Sequence, residues 1–285
     1  MPVRPFADLP PPRPEATGMP RLAPPVHVGG PDGPWNQLHR QWEESGGVVV
    51  LATWGEWLPA VVTDPRLRGL LGDDWPRYRR TADATVRHRF AAARFVLKHA
   101  AAAALETDPA ELDLAYRPGG RPYLRGVRGV DVSLAHTGEL VVAGLSRTGR
   151  IGVDAEPLTR SLSVDVLLAR ACTPDERAAV KTLGGIGGAA GVTAALLRLW
   201  TLKEAYTKAL GCGLRLPFAR FGVPWTVEGE ATAYGDEGLL SPGGGPAGPR
   251  AWTFGAHRAL GRYLVGVARH DGAPAAPLRP SSDRP

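Results

Sequence analysis

Cysteine is scarce in this sequence, and long apolar runs are missing. Only two cysteines, Cys172 and Cys212, occur in 285 residues, which is too few for a disulfide framework or a cysteine-ligated metal site. No apolar run reaches the roughly 20 residues that span a membrane, and residues 1–12 lack the apolar core of a signal peptide. We therefore expect a cytoplasmic protein without a membrane-spanning segment.

Lysine is also rare, because arginine supplies almost all of the positive charge. Of the 34 basic side chains only four are lysines, and two of these, Lys203 and Lys208, lie close together. The net charge of +6 and the pI near 9.7 favour an anionic partner. A phosphate-rich cofactor, an acidic protein and nucleic acid are the candidates, but no helix-turn-helix, zinc-finger or RNP pattern supports nucleic acid.

Glycine and proline mark the predicted boundaries of the folded parts. We predict a Pro/Gly-rich, mostly disordered arm over residues 1–45, an α+β half over 46–150, a second α+β half over 151–270 and a disordered tail over 271–285. The Gly-rich stretch 184–191 is predicted to be a flexible loop, since it lacks the Lys-Ser/Thr of a phosphate-binding loop. The strands cluster in hairpins, which indicates an α+β fold.

The segment 200–214, read WTLKEAYTKALGCGL, predicts a helix with one buried face that ends at Gly211. Glu204 and Lys208 are four residues apart and would lie on one surface of this helix. Such a pair is commonly no more than a solvated helix contact. The scarcity of lysine nevertheless suggests a role that a compact ammonium fills better than a guanidinium.

The segment 151–156, read IGVDAE, predicts a strand that ends at Pro157. Side chains alternate along a strand, so Asp154 and Glu156 would point to the same side, roughly 7 Å apart. Two carboxylates on one face repel each other unless a cation lies between them. Alone, this pattern is typical of a solvated strand edge, and its meaning depends on a third carboxylate.

Three basic residues stand out in the first half. Arg89 lies early in an Ala-rich helix predicted over residues 84–105, where a solvated helix face is the simpler interpretation. Arg121 lies in a turn-rich segment, 118–123. His136 lies in a short loop between strands predicted over 132–135 and 140–145, where a histidine more often serves as a hydrogen-bonded turn residue.

In this order and spacing, the segments IGVDAE (151–156) and WTLKEAYTKALGCG (200–213) resemble the two signatures of the 4′-phosphopantetheinyl transferase superfamily. The first half adds to the resemblance through the Gly120-Arg121-Pro122 turn, the segment VSLAHTG (132–138) and Arg89. The resemblance covers about residues 48–228. It implies the Sfp-type architecture, a monomeric pseudo-dimer of two similar α+β halves with the active site at their junction.

The resemblance also implies a reaction, in which the 4′-phosphopantetheine arm of coenzyme A moves to a serine of an apo acyl or peptidyl carrier protein. Adenosine 3′,5′-bisphosphate is released, and such carriers serve polyketide and nonribosomal peptide biosynthesis. The implied residues are Asp154, Glu156 and Glu204 for Mg²⁺, with Mn²⁺ as an alternative, Glu204 and Lys208 for catalysis, and Arg89, Arg121, His136 and Lys208 for coenzyme A.

Ala135 departs from the family pattern, because a serine usually precedes the histidine there. This departure leaves a second interpretation open, a non-catalytic relative that binds coenzyme A or a carrier protein. The complete set of Asp154, Glu156, Glu204 and Lys208 argues for the enzyme.

Overall fold

The protein is described by a computed structural model that covers residues 22–223, 238–243, 245–247 and 251–271. The helices are α1 (Trp35–Ser45), α2 (Trp54–Thr63), α3 (Leu67–Leu71), α4 (Trp75–Arg80), α5 (Ala84–Leu105), α6 (Val164–Arg170) and α7 (Pro174–Leu210). The strands are β1 (Val26–His27), β2 (Gly47–Thr53), β3 (Asp113–Tyr116), β4 (Pro122–Arg125), β5 (Asp131–Thr137), β6 (Leu140–Ser146), β7 (Gly149–Pro157), β8 (Trp252–Ala259) and β9 (Tyr263–Asp271). In the described ranges, no helix is long and apolar enough to cross a membrane.

The strands of the described residues form two sheets and a ribbon. One sheet has the order β1-β2-β6-β5, the other has the order β7-β9-β8, and β3 pairs with β4 as a two-stranded ribbon. All pairings are antiparallel except that of β1 with β2. A mixed α+β fold, with hairpins β5–β6 and β8–β9, is therefore confirmed.

Three apolar cores hold these elements together. Helix α5 is buried along most of its length and packs with the first sheet, whereas α7 packs on the β7-β9-β8 sheet. A third core lies between the two sheets and includes Val142, Val153 and Val265, all of which are fully buried. Burying a side chain of this size contributes about 1.5–3 kcal/mol, so this core joins β7 firmly to the first sheet.

The disordered arm predicted for residues 1–45 is wrong from Val26 onward. Val26 and Val28 are buried, β1 pairs in parallel with Val50 and Leu51, and helix α1 buries Leu38 and Trp42. The neighbouring prolines and glycines concealed this short strand, because composition averages over residues whose individual contacts decide the outcome. Residues 1–21, a little under half of the predicted arm, and residues 272–285, nearly all of the predicted tail, lie outside the described residues.

The loop predicted at 184–191 is wrong as secondary structure, because these residues are helical except for a kink. Helix α7 begins at a capping box formed by Thr173 and Glu176 and extends to Leu210 as two helical segments joined by a kink at Gly188, whose φ is 61° and ψ is −157°. Only glycine adopts such a conformation readily. The alanines after it favour helix, so a second helical segment follows the kink. Gly211 ends it in the left-handed conformation, at φ 74°.

The imidazole of His257 on β8 gives the fold a pH dependence. Burial and, to a smaller extent, the charge of Arg198 together lower its pKa to about 4. An unfolded chain binds the proton near pH 6.5, so stability is expected to fall as the pH drops from 6.5 towards 4. Urea unfolding of wild type and His257→Gln at pH 7.0 and 4.5 tests this: the wild type should lose about 1–3 kcal/mol more than the variant. His39→Gln is the control, and an equal loss in all three proteins would contradict the assignment.

Candidate active site

The predicted carboxylates of β7 face helix α7. Asp154 is opposite Gly266 and Glu156 is opposite Leu264 in the pairing with β9. The carboxylate of Asp154 contacts Lys208 of α7, and that of Glu156 contacts Trp200 of the same helix. The expectation that both carboxylates lie on one face of the strand is therefore confirmed, because both contact side chains of helix α7.

A glycine allows the helix to lie this close to the strand. A Cβ atom on Gly152 would be 1.9 Å from the carbonyl oxygen of Ala205 and 2.6 Å from the backbone nitrogen of Ala209. No side chain fits in that space, so β7 and α7 meet through their backbones. As a result the helix face that carries Glu204 and Lys208 lies directly over the carboxylates of the strand.

The ammonium of Lys208 pairs with the strand and not with its helical neighbour. Its Nζ lies 2.7 Å from Oδ1 of Asp154, whereas the sequence pattern predicted a pair with Glu204. The Asp154 side chain is 10% exposed, so it gains more from a cation than a better solvated carboxylate would. The other oxygen, Oδ2, is buried and has no hydrogen-bond partner among the described residues.

The carboxylate of Glu156 is also held through one of its oxygens. Its Oε1 accepts a hydrogen bond of 3.1 Å from the indole Nε1 of Trp200. The same oxygen forms an ion pair with Nη1 of Arg160. The guanidinium of Arg160 in turn lies 5.0 Å from the centre of the Trp200 ring. Burial raises the pKa of Glu156, and so does the charge of Asp154.

Glu204 completes the group of carboxylates. It is partly buried, and its carboxylate has no hydrogen-bond or ion-pair partner in the ranges that the structure describes. Burial raises its pKa, as do the charges of Asp154 and Glu156, whereas Lys208 lowers it. The three carboxylates are thus close enough to affect one another. As their side chains stand, no group of three or more His, Cys, Asp or Glu side chains in the described residues is arranged to hold a metal ion.

These donors fit Mg²⁺ all the same. Mg²⁺ binds hard oxygen ligands and is usually held by one or two carboxylates together with waters and substrate phosphates. The buried, unpartnered Oδ2 of Asp154 is the kind of atom that such an ion would satisfy, since an orphaned polar atom is costly. Glu204, with no competing donor in the described part of the chain, lies beside it.

Two of the predicted coenzyme contacts are gathered near Lys208. His136 lies at the exposed end of β5. Partial burial lowers its pKa, and so do the positive charges of Arg89, Arg94 and Lys208. The structure therefore brings His136 of β5, Arg89 of α5 and Lys208 of α7 into one positive region, in which the imidazole is neutral near pH 7.

Arg121, the remaining predicted coenzyme contact, is buried and paired with a carboxylate. It is 7% exposed, forms an ion pair with Asp131, and donates a hydrogen bond of 2.9 Å to the carbonyl oxygen of Ile151. Asp131 also accepts a hydrogen bond of 2.8 Å from the backbone of Ile151. In this arrangement Arg121 joins β4, β5 and β7, and its contact with a coenzyme phosphate stays a prediction.

Sequence reasoning missed two groups of residues. Arg160 and Trp200 were not expected to hold Glu156, although Trp200 belongs to the motif. Lys203 is fully buried, lies 2.6 Å from Oε2 of Glu176 and also donates to the carbonyl oxygens of Ala171, Phe218 and Phe221. The scarcity of lysine was the signal for Lys203, since a compact ammonium can serve several acceptors at once.

Comparison with known proteins identifies relatives of this region. A family model described as the 4′-phosphopantetheinyl transferase superfamily matches residues 150–268, which contain β7, α7 and β9. A phosphopantetheinyl transferase of Thraustochytrium is 32% identical over 169 residues, 55% of this chain and 58% of that protein.

Two bacterial proteins are also similar to about half of this chain. The 4′-phosphopantetheinyl transferase HetI of Nostoc is 30% identical over 132 residues, 45% of this chain and 54% of its own length. A 4′-phosphopantetheinyl transferase of Bacillus subtilis is 26% identical over 145 residues, 51% of this chain and 62% of that protein. The chain thus spans a little more than half the length of these relatives.

Proposed function

We propose that this chain, whose residues 150–268 match the 4′-phosphopantetheinyl transferase superfamily, transfers the 4′-phosphopantetheine arm of coenzyme A to a serine of an apo acyl or peptidyl carrier protein. One observation carries the proposal. Asp154 gives one oxygen to Lys208 and keeps the other buried and unpartnered, beside Glu204. The site thus combines an incomplete set of cation ligands with a cation suited to phosphate.

Asp154, Glu156 and Glu204 would hold Mg²⁺, or Mn²⁺ in its place. The ion would neutralise charge on the coenzyme pyrophosphate and orient it for in-line attack. Glu156 is already oriented for this task, because Trp200 and Arg160 both bind its Oε1 and leave Oε2 to a ligand.

Proton transfer falls to Glu204 in this proposal. It would take the proton of the carrier serine directly or through a water. The ammonium of Lys208 is close enough to lower the pKa of Glu204. Lys208 would stabilise the negative charge that develops on the leaving adenosine bisphosphate.

The nucleotide end of the coenzyme would lie on the positive region formed by Arg89 and His136. A guanidinium binds phosphate through charge-assisted, forked hydrogen bonds. Arg121 could join them only if its ion pair with Asp131 opened. The net charge of +6 suits a carrier protein with acidic helices.

We extend the proposal to the architecture, an Sfp-type monomer with two similar halves. It rests on the position of the site. The first sheet supplies His136, α5 supplies Arg89, and β7 and α7 supply the carboxylates and Lys208. The third core packs the two sheets against each other beneath these residues.

The reaction is tested by incubating the protein with coenzyme A, Mg²⁺ and an apo carrier protein and weighing the carrier by mass spectrometry. We expect a gain of one phosphopantetheine, and we expect EDTA to abolish it, because the carboxylates alone cannot neutralise the pyrophosphate. A carrier whose serine is replaced by alanine should gain nothing. If no acyl or peptidyl carrier gains mass although coenzyme A binds, the non-catalytic alternative replaces this proposal.

A further inference from the structure

Arg160 lies where it can set the charge of the candidate metal site. Asp154, Glu156 and Glu204 bring three negative charges when ionised, and Lys208 and Arg160 bring two positive ones. The group therefore has a net charge of −1 before any ligand binds. Without Arg160 it would have a net charge of −2, which a divalent cation would prefer and an anion would resist.

The turn after β7 fixes Arg160 in this position. Its backbone N–H donates to the carbonyl oxygen of Pro157 at 3.0 Å, and one face of its guanidinium lies over the ring of Trp200. The side chain is 34% exposed, so solvent and ligands can reach it.

The guanidinium also has hydrogen-bonding capacity to spare. It has five N–H donors, and in the described part of the chain its one acceptor is Oε1 of Glu156. The remaining donors are free to bind an anion that lies beside Glu156. A guanidinium stacked on an indole is pre-organised, so it loses little conformational entropy when it binds a phosphate.

We propose that Arg160 determines the ligand preference of this site, favouring the metal–diphosphate form of its substrate over the free metal ion. The inference rests on the proposed function for the identity of the anion. By holding one oxygen of Glu156 and adding a positive charge, Arg160 weakens the binding of a bare divalent cation. The same charge, with its spare donors, strengthens the binding of the coenzyme pyrophosphate.

Two binding measurements on Arg160→Gln test the proposal without any transfer reaction. Binding of Mn²⁺ alone, followed by electron paramagnetic resonance, should become about fivefold tighter than in the wild type. Binding of coenzyme A in the presence of EDTA, followed by calorimetry, should become about fivefold weaker. Changes of opposite sign are the signature of a charge effect, because a damaged site would weaken both.

Matched variants sharpen the result. Arg160→Lys keeps the charge and should stay within about twofold of the wild type for Mn²⁺, and Arg262→Gln, which breaks the exposed pair with Glu139, should change neither affinity. If both affinities of Arg160→Gln fall, or if neither changes, the proposal is wrong. If the wild type binds Mn²⁺ but no coenzyme A, the proposed function fails, and the Mn²⁺ measurement still decides the role of the charge.

Discussion

Replacement of Glu204 by glutamine is expected to lower the rate of phosphopantetheine transfer by about a hundredfold or more and to leave the free energy of unfolding unchanged or slightly higher. The loss of rate follows because the amide is a poorer ligand for a hard cation and cannot accept the serine proton. The measurements are the initial rate of carrier modification by mass spectrometry and urea unfolding of the same preparations.

The stability half of this expectation follows from the sign of the pKa shift. Burial raises the pKa of Glu204 above its unfolded value, so the folded state favours the protonated acid, and this contribution to stability is lost as the pH rises through the folded pKa. At pH 7 the ionised carboxylate is therefore a cost to the folded protein. Glutamine removes that cost and keeps the shape of the side chain.

Glu139→Gln is the matched control, because Glu139 is an exposed residue whose pair with Arg262 lies at the surface. The transfer rate of this variant should stay close to that of the wild type. Its free energy of unfolding should change by less than about 1 kcal/mol. If the Glu204→Gln protein transfers at the rate of the wild type, Glu204 is neither a metal ligand needed for the reaction nor the proton acceptor. A variant that loses rate and stability together would make Glu204 a structural residue.

Local patterns predicted much of the site from sequence. The strand at 151–156 and the helix that carries Glu204 and Lys208 follow from apolar spacing, a proline and a terminal glycine, all of which act within a few residues. The helix predicted over residues 84–105 coincides with α5, Ala84–Leu105. The facing of Asp154 and Glu156 followed from strand alternation alone.

The contacts that could not be predicted are those between segments distant in the sequence. Lys208 has a potential partner four residues away, yet it pairs with Asp154, 54 residues earlier in the chain, because burial of that carboxylate decides the competition. Arg121 looked like an exposed turn residue until its pairing with Asp131 buried it. Composition likewise misjudged residues 26–45, where the buried side chains of Val26, Val28, Leu38 and Trp42 outweigh two prolines and three glycines.

The largest effect on stability is expected from Gly152→Ala. A methyl group there would meet backbone atoms of α7 at 1.9 and 2.6 Å, and backbone cannot turn aside as the end of a long side chain can. Overpacked cores usually lose about 1–3 kcal/mol, and we expect this variant to lose more than about 3 kcal/mol, measured by urea unfolding. Gly55→Ala is the control, because its Cβ would meet nothing within 4 Å in the exposed part of α2, and alanine there should stabilise the helix by about 0.5–1 kcal/mol.

The same substitution also connects packing to function. Any Gly152→Ala protein that folds must move α7 away from β7, and this movement separates Lys208 from Asp154 and Glu204 from both strand carboxylates. We therefore expect its folded fraction to bind Mn²⁺ and to transfer phosphopantetheine more weakly, although no ligand has been changed. Wild-type stability in Gly152→Ala would show that the helix is not held against the strand in solution. Wild-type transfer by a destabilised protein would show that the close approach serves the fold alone.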